Sequence, residues 1–243
     1  MNNNIAFLEL KYGNIYGGYP NFYAISEICL LVFEQDTNRI FIETFINNAN
    51  IDFVSVYSKV DELGHTVGRI KEVVNMRTHR RKPYDEEFRL DERQLAYAFK
   101  QLRPSKMPIR NFLLKNLRKY RFRDLITFDG RRDVFLCERA GARFDRYNIV
   151  DLQKDLNKET DYLFSLNKLA VVTNFEHDRS YLRTNNLEYW LHPIADRQIV
   201  PRSAAYDAAR LMMIHNEYRF HHDDFMMKGA LLLNKIQQNK QSE

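Results

Sequence analysis

The sequence has few of the residues that cross-link or anchor unusual folds. It holds two cysteines, Cys29 and Cys137, each inside an apolar segment, and neither has a second Cys or a His at metal-ligand spacing. That excludes a disulfide scaffold and a Cys/His zinc site, and leaves buried free thiols in a reducing compartment as the expectation. Long apolar runs are also missing: none approaches the roughly 18 residues that span a bilayer. The opening MNNNIAFLELKYG lacks a basic stretch followed by a long apolar one. A soluble, cytoplasmic protein with no membrane partner is therefore expected. No internal repeat, low-complexity tract or convincing linker interrupts the chain, so 1–243 is read as a single domain with an irregular basic insertion around 50–108. Its hydrophobic content of 44% is enough to fill a sizeable core.

Charge is plentiful and biased to one sign. The formal net charge is +5 and the isoelectric point about 9.1, a balance that suits a polyanionic partner. Arg77, His79, Arg80, Arg81 and Lys82 form one basic cluster; Lys115, Arg118, Lys119, Arg121, Arg123, Arg131 and Arg132 form another. Most such runs are solvated faces, and a surface that tracks phosphates is the sharper alternative.

Periodicity orders the elements. Ile5–Leu10 reads as a buried strand followed by a Gly- and Pro-rich turn, Gly13 to Pro20. Ile25–Glu34 is a second strand, Asp36-Thr37-Asn38 carries turn chemistry, and Arg39–Phe45 alternates as a third strand, so the chain opens as an antiparallel meander. Helical pieces are expected at Val67–Met76, Asp91–Leu102 and Ile109–Tyr120, the last opened by Pro108. Next come a strand at Arg123–Phe128, a helix at Arg131–Ala140 and a short strand at Tyr147–Asp151. Helices at Ser165–Thr173, Ala204–Phe220 and Phe225–Gln237 complete the reading.

This order, three antiparallel strands and then alternating helices and strands, resembles that of the ribonuclease-H-like exonucleases of the DEDD type, and the likeness extends to motifs. Phe7-Leu8-Glu9-Leu10-Lys11 matches the first-strand segment that carries an acidic-x-acidic pair. Ile25-Ser26-Glu27-Ile28-Cys29-Leu30 is similar to the second strand. Leu125–Asp133 resembles the second motif, with Asp133 preferred to Asp129. Ile149-Val150-Asp151-Leu152 and Ser165–Ala170 follow in order, and Arg202–Ala209 matches the closing helix motif. The resemblance covers nearly the whole chain. It implies an α/β fold with a mixed five-stranded sheet, its first three strands antiparallel, flanked by helices.

In such enzymes carboxylates hold two divalent ions on the scissile phosphate, and a His or Tyr orients or deprotonates the attacking water. Carried over residue by residue, the resemblance puts candidate catalytic and metal-holding roles on Glu9, Asp133 and Asp207. It also exposes two departures. Lys11 stands where a second acid belongs, and its ammonium repels a divalent ion instead of ligating it. Arg202 stands where the base belongs and keeps its proton at physiological pH. The two cations invite ion pairs, Glu9 with Lys11 and Asp133 or Asp207 with Arg202, or else a grip on a phosphate. Glu27 is expected to be structural, Asp151 to cap or pair locally, and His192 and His215 to be surface or core residues.

Three functions follow. The first is a nucleic-acid-binding protein on an exonuclease fold with an impaired centre, a pseudoenzyme that contacts DNA or RNA through Lys11, Tyr12, Arg80, Arg81, Arg131, Arg132 and Arg202. The second is an active 3′–5′ exonuclease using an altered carboxylate set with Mg²⁺ or Mn²⁺. The third is a protein-interaction module with a protein partner or a second copy of itself. Aromatics after the first strand, Tyr12, Tyr16, Tyr19, Phe22 and Tyr23, are candidates for stacking on bases.

Overall fold

The computed structural model describes residues 3–14, 23–47, 52–60, 66–75, 81–88 and 92–241, with side chains over 3–13, 23–47 and 106–239. The chain opens with β1 (Asn4–Asn14), β2 (Tyr23–Glu34) and β3 (Arg39–Ile46), paired antiparallel as β1–β2 and β2–β3. Asn38 closes the β2–β3 turn with φ of 54°, a left-handed conformation that Asn tolerates better than most residues. Further along, β7 (Asp124–Thr127) and β8 (Asn148–Asp151) join the sheet parallel to β1. The strand order is β3-β2-β1-β7-β8. The fold is thus α/β around a mixed five-stranded sheet whose first three strands are antiparallel.

Alternation along β1 divides the core in two. Ala6, Leu8 and Leu10 face one layer of helices, α1 (Glu92–Lys119) and α2 (Arg131–Arg139), through Leu113, Leu117 and Leu136. Ile5 and Phe7 face the other layer, α3 (Leu152–Thr160), α4 (Leu166–Thr173), α6 (Ala204–Phe220) and α7 (His222–Gln241), through Leu156, Leu169, Leu211 and Phe225. Period-two side chains on a sheet covered on both faces require this apolar content at nearly every position. Cys29 and Cys137 are buried free thiols within these layers, as expected. No helix among the described residues is long and apolar enough to cross a membrane.

Three segments differ from the periodicity reading. The expected helix at Val67–Met76 is a strand: β4 (Asp52–Val60), β5 (Thr66–Asn75) and β6 (Arg81–Phe88) form an antiparallel sheet. The register of β5 against β6 shifts between Ile70 and Glu72. Such a bulge breaks period-two alternation and leaves Val67, Ile70 and Val74 at helix-like spacing, while their β-branched side chains favour the strand. The helical pieces at Asp91–Leu102 and Ile109–Tyr120 are one helix, α1, which runs through Pro104 and Pro108; each proline forgoes one backbone hydrogen bond there. Finally, β9 (Glu176–Asp178), β10 (Tyr181–Arg183) and β11 (Glu188–Trp190) form a small sheet of three-residue strands, too short for any period to register.

Candidate functional site

Glu9 and Lys11 follow Phe7 on the same face of β1, the face that packs on α6. Lys11 Nζ donates a hydrogen bond to Asp207 Oδ2, in the first turn of α6. That turn is fixed from two sides: Ser203 Oγ accepts from Tyr206 N at 3.1 Å, and Glu27 Oε2, reaching from β2, accepts from Ala204 N at 2.9 Å. A carboxylate at a helix N-terminus satisfies an orphan donor and complements the dipole. Glu27 is therefore structural, as expected.

Asp133 enters from α2, whose start lies at the carboxyl end of β7. The linking turn is tightly shaped. A Cβ on Gly130 would lie 2.2 Å from Thr127 Cβ, so only glycine fits there. Asp129 before it has φ of 51°, and its N–H donates to Asp151 Oδ1 at 3.0 Å. Asp151 also meets Lys154 Nζ, at 3.1 Å from Oδ2. The carboxyl ends of the parallel strands β1, β7 and β8 thus gather Glu9, Asp129, Asp133 and Asp151 at one edge of the sheet, the place where open α/β sheets bind their ligands.

Burial sets the electrostatics. Glu9 is 9% exposed and its Oε1 has no hydrogen-bond partner. Its carboxyl is pushed well above the usual range by burial and then by Asp133 and Asp207, while Lys11 and Arg210 oppose the shift. Asp133 is 6% exposed and is raised to about 7 by burial, with Asp129 adding and Arg132 and Lys11 opposing. Two buried acids both shifted upward by burial and by neighbouring carboxylates are a functional-site signature.

The chain matches no family model and no curated protein. The site's chemistry therefore rests on its own geometry.

Of the candidate residues, Glu9, Lys11, Asp133 and Asp207 come together; Arg202 stands apart. It is exposed, with φ of 72°, in the turn before α6, and among the described residues it makes no ion pair. The expected pairs are therefore rearranged. Lys11 bonds Asp207 instead of Glu9, and the second cation is Arg210, whose Nη1 lies 3.7 Å from Asp207 Oδ1 and 2.5 Å from Asn167 Oδ1. Arg210 is three residues past Asp207 on one helix face, a spacing that could have singled it out.

A two-metal centre does not fit these residues. One of the three candidate carboxylates, Asp207, is already bonded to an ammonium, and among the described residues no group of three or more His, Cys, Asp or Glu side chains is arranged to hold an ion.

The candidate nucleic-acid contacts divide likewise. Arg131 and Arg132 are exposed, and the Arg132 guanidinium lies 4.7 Å above the Tyr23 ring and 5.9 Å from that of Tyr12, the two rings meeting edge to face at 5.4 Å. That stack places a rigid cation one residue before Asp133. Arg80, Tyr16, Tyr19 and Phe22 lie outside the described residues, as does the side chain of Arg81. His192 caps the short α5 (Pro193–Asp196), its Nδ1 accepting from Ile194 N at 3.3 Å. His215 is buried edge-on against Phe7 at 5.4 Å. Neither faces the carboxylates as a base.

Proposed function

We propose that this chain binds nucleic acid, DNA or RNA, on a ribonuclease-H-like exonuclease fold whose centre has exchanged metal ligation for an internal cation. The sheet order and strand directions support the fold half of the reading, since they put the carboxylate-bearing ends of β1 and β7 side by side. The observation that carries the functional half is the Lys11–Asp207 ion pair beside buried Glu9. A lysine ammonium supplies one fixed positive charge where two divalent ions would supply four, and it cannot polarise water toward hydroxide. Cleavage is lost and cationic recognition is retained. Lys11 keeps 34% of its side chain exposed, so its remaining N–H groups can meet a phosphate together with exposed Arg202, Arg131 and Arg132.

The test is oligonucleotide binding and hydrolysis by the same preparation, in cytoplasm-like salt and at low salt. Binding is expected, weakened in a Lys11→Ala, Arg202→Ala double variant, with no hydrolysis in Mg²⁺ or Mn²⁺. Metal-dependent loss of substrate abolished by Asp207→Ala would establish an active exonuclease and overturn the reading. Absence of binding to single- or double-stranded DNA or RNA at low salt would favour a protein-interaction module, with a separate partner or a second copy.

A further inference from the structure

The far end of α2 carries a feature that the carboxylate centre does not explain. Two adjoining cavities of about 510 and 380 Å³ lie between α1 and the loop from α2 to β8, sharing Arg110, Gly141 and Arg143 as walls. Five cations line the combined groove: Lys106, Arg110 and Arg118 from α1, and Arg143 and Arg146 from the loop. Glu138 and Asp145 are the acids on its walls, which leaves cations in excess. All five cations are exposed, and among the described residues none is engaged in an ion pair.

The groove is shaped as well as charged. Gly141 has φ of +100°, and a Cβ there would meet Arg110 Cδ at 3.1 Å, so the arginine stem rests on bare backbone. That contact holds the Arg110 guanidinium over the turn that also carries Arg143. Five like charges facing one concavity repel each other unless an anion lies among them, and low-dielectric walls concentrate that field. Along α2 the groove is roughly 12 Å from the Asp133 end, at 1.5 Å rise per residue.

We infer that this groove between α1 and the α2–β8 loop is a second contact for the sugar-phosphate backbone of a nucleic acid, separate from the carboxylate centre. The inference rests on the nucleic-acid reading above and names a surface which that reading does not require. Spaced guanidinium groups on exposed walls match a chain of phosphates and offer nothing that selects a base. The contact is sequence-independent and salt-sensitive.

The test is fluorescence anisotropy of a labelled single-stranded oligodeoxynucleotide and its duplex against the full chain over a salt series. Arg110→Glu with Arg143→Glu is compared with Arg197→Glu with Lys235→Glu, exposed cations elsewhere whose reversal changes net charge equally. The groove variant is expected to lose at least about tenfold in affinity, and the slope of log affinity on log salt to fall by about 2, roughly one per phosphate contact removed. The control pair is expected to keep the parental slope. A neutral pair, Arg110→Gln with Arg143→Gln, should show the same loss to a smaller degree. Equal losses in groove and control variants, or no loss in either, would overturn the groove while leaving nucleic-acid binding in place. If the parental chain binds neither oligonucleotide at low salt, the functional reading itself fails.

Discussion

At the scale of single residues, the centre is an exercise in charge compensation. Glu9, Asp133 and Asp207 would repel one another if all were ionised, and burial raises the cost further. Lys11 and Arg210 offset part of it: Lys11 bonds Asp207 directly and also lowers the proton affinity of Glu9 and Asp133. Placing an acid at position 11 tests the proposal that this ammonium stands in for metal ions. Lys11→Asp is expected to bind Mn²⁺ measurably by titration calorimetry and to gain thermal stability when Mn²⁺ is added, whereas the parent shows neither. Heat signals identical in the two proteins would show that the ammonium does not stand in for an ion. Glu9, Lys11, Asp133 and Asp207 were singled out together through short segments that resemble exonuclease motifs, and the fold brings them close. Arg210 was not singled out, although its position three residues past Asp207 marks it as a partner for that acid.

At the scale of elements, the turn from β7 into α2 and the entry to α6 do the positioning. Gly130→Ala places a methyl 2.2 Å from Thr127 Cβ, and the backbone must shift to relieve it. A loss of about 1–3 kcal/mol is expected in chemical denaturation, the usual range for overpacking. Ser203→Ala removes the side-chain acceptor for Tyr206 N and should cost about 1 kcal/mol; the Glu27 contact to Ala204 N remains, so α6 should keep its place. A loss near zero would mean that Glu27 alone caps the helix. Sequence periodicity located α2, α4 and α6 by their apolar stripes, and at α4 a cap accompanies the stripe, Ser165 Oγ accepting from Lys168 N. It misread β5, where a bulge scrambles alternation, and it split α1 at prolines that the helix absorbs. Local pattern reports an element well only where nothing outside that element alters its geometry.

At the scale of the whole molecule, buried groups shifted in opposite directions shape the pH response. Asp133 is raised to about 7. Between about pH 4 and 7 the native carboxyl keeps a proton that the unfolded chain releases, so its contribution to stability falls as pH rises through that window, by at most about 4 kcal/mol. Glu9, raised in the same direction, adds to the decline. His215 is lowered to about 4 by burial. The unfolded chain takes up a proton there first, so its contribution falls as pH drops from about 6.5 to 4, by at most about 3 kcal/mol. Urea denaturation across pH 4–8 separates them: relative to the parent, Asp133→Asn should gain stability as pH rises and His215→Gln should gain it as pH falls. Parallel curves for the three proteins would contradict both assignments. The sequence by itself determined the opening meander and the order of the acidic positions, because these depend on local periodicity and on spacing along one chain. Only the tertiary structure decided what the acids do. Lys11 and Asp207 lie 196 residues apart, and whether such a cation meets Glu9, Asp207 or solvent depends on how β1 and α6 approach across the sheet. The arginines of α1 and the α2–β8 loop form a groove for the same reason: charge is written in the sequence, but concavity arises only when separate elements pack.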